Sequence, residues 1–165
     1  MPGSSPRAGD RPDDSLIAAD RTLRQFSGYT MKRAFHVIQS DLNAALAPLG
    51  LRMLSFSALV VVVDNPGLRQ SQLAEVLAIE RPNLVLVIDE LERAGLICRN
   101  PSPDDRRAYA LDPTDDGRAL CGTAIHAVQE HEDRVARALT EPERQALIAA
   151  LLRIETPEEG ETSDG

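Results

Sequence analysis

Two arginines stand side by side at positions 106 and 107, inside the stretch SPDDRRAYALDPTDDGR, Ser102 to Arg118. Aspartates crowd the turn before them and the turn after. Adjacent like charges at the tip of a turn do nothing for a core, so they point outward. The planar guanidinium fork suits phosphate and guanine. The plainer alternative is a solvated turn with local ion pairs to Asp104 or Asp105. A second set combines aromatics with cations: Tyr29, Lys32, Arg33 and His36 at helical spacing, with Phe56 further on. Such a set makes either an ordinary interface and core, or a wall that holds an anionic ligand.

Other chemistry is poorly supplied. His126 and His131 are five residues apart, whereas two ligands on one helical face need three or four, so these and His36 are expected at a surface or an interface. Cys98 and Cys121 make no disulfide framework and read as two reduced thiols. No nucleophile–base pair, glycine-rich phosphate loop or metal spacing is present. Neither an enzyme nor a cofactor is expected. MPGSSPRAGDRPDD at the start is polar and lacks the apolar segment of a signal peptide, and no apolar stretch approaches membrane-spanning length. The expected location is the cytoplasm.

The 165 residues carry a formal charge of −8, which spread evenly would disfavour a nucleic-acid partner. It is concentrated at the ends. Glu155 to Gly165 has five acids and no base, whereas Leu16 to Ile154 is only −2. Of the 18 basic residues only Lys32 is a lysine. Hydrophobic residues make up 42% and aromatics only 3%, a composition that leans towards helices packed with aliphatic side chains.

Residues 1–14 and 155–165 read as disordered tails. Between them, 15–154 forms one domain. Leu16, Leu23, Phe26, Met31, Phe35, Ile38, Leu42, Leu46 and Leu49 recur at helical spacing, with a bend or break at Ser27-Gly28 and a stop at Pro48 and Gly50. SFSALVVVVDNPG is ambiguous. Its four valines favour a strand, but Ser55 as a cap and Asn65-Pro66-Gly67 as a stop allow a short buried helix. QSQLAEVLAI is a short helix with Leu73, Ala74 and Leu77 inward. ERPNLVLVIDELERAGLI is a helix opened by Pro82 and closed by Gly95. It has Leu84, Val87, Ile88 and Leu91 on one face and Val85, Leu86, Asp89 and Arg93 on the other. Two strands follow, Leu96 to Arg99 and Ala108 to Leu111. Thr114 caps a helix to about Leu139, with Leu120, Ala124, Val128, Val135 and Ala138 among its inward residues. The capping box of Thr140 to Glu143 opens a last helix with Leu147, Ile148, Leu151 and Ile154. The fold class is mainly α: a winged helix-turn-helix lobe at about 52–113, flanked by long helices at about 15–48 and 114–154. The apolar faces of those helices exceed what one small lobe can cover, and a second copy of the chain is the simplest partner.

SQLAE, DELERAGLI, PSPDDRR and T-x-x-GRAL, in that order and spacing, resemble the MarR family of winged-helix transcriptional regulators over roughly residues 25 to 154. GYTMKRA, GLRQSQLAE and IERPNLVLVIDELERAGLI are most similar to the repressors that respond to hydroxycinnamic or related aromatic acids as coenzyme A thioesters. The resemblance implies a homodimer built on the first and last two helices, bound to double-stranded DNA at an inverted repeat. It implies that Arg81 to Ala94 enters the major groove, that the wing tip reaches the flanking minor groove, and that a small ligand relieves repression. In those terms Arg106 and Arg107 are DNA contacts, with Asp105 orienting Arg107. Arg81, Pro82 and Asn83 lie at the start of the reading helix, and Ser71 and Gln72 suit a phosphate. Val85 and Leu86 either touch thymine methyls or pack on another helix. Three features depart from the family: Val85 and Leu86 where polar or basic residues are usual, Pro113 in place of an aliphatic residue, and six bases against seven acids over Pro66 to Arg107. The competing expectation is a helical dimer that binds a small molecule or protein and has lost DNA binding.

Overall fold

The computed structural model describes residues 19–101 and 109–155. The chain divides into two compact units, Met1–Ser40 and Asp41–Gly165. In the first, a 3-10 turn at Leu23–Gln25 ends at Phe26, whose backbone is extended. Helix α1, Ser27–Leu46, begins immediately after. The interruption expected at Ser27-Gly28 therefore falls at Phe26. Leu23, Phe26, Phe35 and Val37 are exposed.

The second unit holds the core. α1 stops at Leu46, and a 3-10 turn containing Pro48 leads to Gly50, whose φ of +69° is the left-handed conformation that glycine tolerates. The valine run is helical: α2 spans Met53–Asp64 and buries Ser55, Ala58, Leu59 and Val62. Tertiary burial overrides the strand propensity of Val60 to Val63. Ser55 is not the cap. It sits at the third helical position, and its hydroxyl accepts from the Arg52 amide at 2.9 Å while Asn43 Oδ1 accepts from the Met53 amide at 2.8 Å.

A two-residue strand β1, Leu68–Arg69, leads into α3, Gln70–Val76, and α4, Arg81–Arg93. Strands β2, Ile97–Pro101, and β3, Tyr109–Pro113, complete an antiparallel sheet ordered β1-β3-β2, with Leu68 opposite Leu111 and Arg99 opposite Leu111 on the other side. The segment between β2 and β3 lies outside the described residues. Helices α5, Asp115–Val135, and α6, Glu141–Glu155, follow, separated by a 3-10 turn at Ala136–Ala138.

One knot ties the base of the wing to α5. Thr114 Oγ1 donates to the Gly95 carbonyl at 2.6 Å and accepts from the Gly117 amide at 3.0 Å, while the Thr114 amide donates to the Leu96 carbonyl at 3.0 Å. A Cβ on Gly117 would collide with the Leu96 carbonyl oxygen, so the T-x-x-G pattern needs its glycine. The box at the start of α6 also forms: the amide and the hydroxyl of Thr140 both donate to Glu143 Oε2 at 2.7 Å.

Candidate functional site

α3 and α4 pack as a helix-turn-helix around Leu73, Leu84 and Ile88, each 2% exposed or less. The turn between them passes through Ala78, the one non-glycine residue with positive φ (50°) among the described residues. That backbone conformation costs about 1 kcal/mol, and the Ala78 and Ile79 amides are tied back to the Glu75 and Ala74 carbonyls. The inward stripe of α4 is as the spacing predicts: Leu84, Val87, Ile88 and Leu91 are all buried.

The opposite side of α4 is largely open over its first turns among the described residues. Val85 is 43% and Leu86 69% exposed, and Arg81, Pro82 and Asn83 are exposed beside them. Pro82 occupies the second helical position rather than the first. No side chain caps the start of α4; Pro82 has no N–H to offer, and the Asn83 and Leu84 amides donate to the Glu80 carbonyl at 3.1 Å. Ser71 and Arg81 line a shallow hollow of about 610 Å³, and the same two residues share a second, of about 190 Å³, with Val85. Gln72 is turned the other way. Its Oε1 accepts from the Arg69 amide at 3.0 Å and from Arg69 Nε at 3.3 Å, capping its own helix. Asp105, Arg106 and Arg107 lie outside the described residues.

The second predicted set is divided. Tyr29, Lys32, Arg33 and His36 line one groove of about 600 Å³ on α1, together with Phe35, Val37 and Gln39. Phe56 lines a different hollow, of about 310 Å³, with Ile125, Val128 and Arg144 among its walls. Asp20 escaped the sequence reading. The Tyr29 hydroxyl donates to Asp20 Oδ2 at 2.8 Å, and Arg24 Nε donates to Oδ1 at 2.6 Å. These donors hold the Asp20 carboxyl below its ordinary range, and the bond to Asp20 pushes the Tyr29 hydroxyl up. No periodicity marks an aspartate nine residues before its partner.

His131 corrects an expectation, for it is wholly buried. Its Nδ1 lies 2.7 Å from Asp41 Oδ2, which also accepts from Arg134 Nη2 at 3.3 Å. A carboxylate can only accept, so Nδ1 carries the proton. The bond from His131, reinforced by Arg134, lowers the Asp41 pKa. His126 is exposed. Cys121 is buried, and burial pushes its thiol up, away from reactivity. Cys98 is half-buried within β2. Among the described residues no three His, Cys, Asp or Glu side chains gather as a metal site requires, and no single helix is long and apolar enough to cross a membrane.

Residues 51–109 match the MarR family. The chain is 37% identical over 99 residues to a Thauera aromatica protein named as the regulator of its hcr operon, an alignment that spans 60% of each chain. It is 32% identical over 118 residues to the HTH-type transcriptional repressor Mb2911 of Mycobacterium bovis, covering 72% of this chain and 85% of that one. Among solved structures, the transcriptional repressor CouR bound to a 23-mer DNA duplex superposes with a TM-score of 0.77 at 40% identity, over 81% of this chain and 94% of the other. A CouR structure bound to p-coumaroyl-CoA gives 0.76 at 37%, over 82% and 95%.

Proposed function

The chain belongs to the MarR family, and from that premise we propose that it is a homodimeric transcriptional repressor that binds an inverted-repeat operator and is released by an aromatic acid or its coenzyme A thioester. The observation that carries this reading is the uncovered face of α4. A helix buried along Leu84, Val87, Ile88 and Leu91 presents two apolar side chains, Val85 and Leu86, to solvent beside Arg81 and Asn83. Thymine methyls in a major groove are the complement of such a pair, and Arg81 and Asn83 suit base edges or phosphate. Ser71, exposed at the start of α3, suits a phosphate contact. Arg106 and Arg107 would reach the minor groove, where arginine exploits the concentrated negative potential.

The exposed apolar residues of α6, from Leu147 to Ile154, support a second copy as the partner. A two-fold dimer reads half-sites about one helical turn apart. The groove of Tyr29, Lys32, Arg33 and His36, or the hollow at Phe56, would take the effector; its cations and aromatics fit an anionic aromatic group. Such a repressor works where the DNA is, in the cytoplasm.

Fluorescence anisotropy on the DNA upstream of the chain's own gene tests the reading, with p-coumaroyl-CoA as the effector probe. The expected result is operator binding that the thioester weakens by about 1–3 kcal/mol, with the same factor lost from thioester affinity when operator is present. Absence of binding to that DNA, with the dimer intact, would instead favour the helical dimer without DNA function.

A further inference from the structure

The recognition helix poses an electrostatic problem. The segment from Pro66 to Arg107 carries more acids than bases, and three of the acids, Asp89, Glu90 and Glu92, sit in the last turns of α4 itself. Free carboxylates on a helix that docks on a polyanion repel it. None of the three is free. Arg99 of β2 donates through Nη2 to Asp89 and through Nη1 to Glu92. Arg52, the residue just before α2, donates through Nη2 to Glu90 at 2.6 Å.

The two arginines differ in setting. The Arg52 side chain is 68% exposed, whereas that of Arg99 is 21% exposed with its Nε buried. A solvated pair contributes little to stability or geometry, so Arg99 is the stronger tie. Asp89 and Glu92 are three residues apart and share one face of α4. A single planar fork bridging both fixes the roll of the helix about its axis, because rolling separates one carboxylate from the plane. The roll sets where Arg81, Asn83, Val85 and Leu86 point. The fork itself comes from β2, so it ties the reading helix to that strand.

Resting on the DNA-binding reading above, we propose that Arg99 is a positioning residue for sequence recognition: it touches no base, but through Asp89 and Glu92 it holds α4 in its reading orientation. Its role is separable from charge masking because the two predict opposite signs. In Asp89→Asn/Glu92→Gln the clamp loses its charge assistance and is reduced to neutral hydrogen bonds, and two negative charges are removed. Electrostatics alone then tightens binding to every DNA. Loss of positioning weakens binding to the operator only.

The experiment selects a duplex from a randomised library with the wild-type dimer, then measures affinity for that duplex and for a scrambled duplex of equal composition at two salt concentrations. For Asp89→Asn/Glu92→Gln the expected result is unchanged or tighter binding to scrambled DNA and an operator-to-scrambled ratio lowered about tenfold, the size of one lost bidentate reading contact. Arg99→Lys keeps the charge but not the fork; it should lower the ratio in the same direction with an unchanged salt slope. An unchanged ratio in both variants overturns the proposal. A smaller salt slope in Arg99→Lys, with equal losses on both duplexes, makes Arg99 a phosphate contact and overturns it as well. A wild type that enriches no sequence defeats the DNA-binding reading itself. Circular dichroism and sedimentation confirm fold and dimer for each variant, and either variant alone suffices should the other fail to fold.

Discussion

α4 and α6 both carry aliphatic residues at helical spacing and meet opposite fates. In α4, Leu84, Val87, Ile88 and Leu91 are at most 4% exposed; in α6, Leu147, Ile148, Leu151 and Ile154 are each more than 40% exposed. Hydrophobic periodicity reports that a face is to be buried, not what buries it. The winged lobe closes its own core, so α4 has a partner within the chain. α6 buries none of its residues among those described, and its stripe supports the proposed second copy as its cover. A lobe that folds on its own contacts can be carried by a dimer arm that needs another copy.

The contrast can be broken most severely at α6. Leu147→Asp with Leu151→Asp places unpaired charges in the proposed interface, at a cost of about 5 kcal/mol or more to association. Sedimentation should then show a monomer while the lobe keeps its cooperative unfolding. A dimer of normal stability would mean that α6 faces solvent.

Ile88→Ala is the mirror experiment. It removes a wholly buried side chain from α4 and should lower lobe stability by about 3 kcal/mol in denaturant titration. Dissociation measured under native conditions should be little altered. Equal losses of both would show that lobe and interface are not independent.

A smaller effect falls on recognition alone. Arg107→Ala should weaken operator binding by about 1–3 kcal/mol and reduce its salt dependence, with fold and dimer intact. Lysine at 107 should recover part of the loss. Wild-type affinity at both low and high salt would remove Arg107 from the interface.

The smallest effect concerns acid stability. The Asp41 carboxyl, held by His131 and Arg134, lies below its ordinary value of 3.8. A depressed carboxyl contributes stability that is present above the ordinary value and lost as pH falls through the lower, folded one. Asp41→Asn should flatten that acid limb in thermal melts taken across it and leave the neutral region less affected. An unchanged limb would show that the contact carries no pH-dependent stability.

Local rules carried much of the architecture. The stripe of α4, the glycine stops at Gly50 and Gly95, the Thr114 cap and the Thr140–Glu143 box depend on neighbours within a few residues, and the chain states them directly. The ordered motifs from SQLAE to T-x-x-GRAL added the family. Other features depended on residues far apart in the chain. Val60 to Val63 became helix because α2 is packed on α4 and α5, and packing outweighs a propensity of about 1 kcal/mol. β1 is too short to show a period. It exists because Leu111 and Ala110 of β3 offer a ladder. His131, expected at a surface or an interface, is buried against Asp41, ninety positions earlier, and Arg99 crosses from the wing strand to hold both Asp89 and Glu92. Periodicity and caps are one-dimensional and survive in the sequence. Which charge meets which, and whether an apolar face finds cover, depends on distances that exist only once the chain has folded.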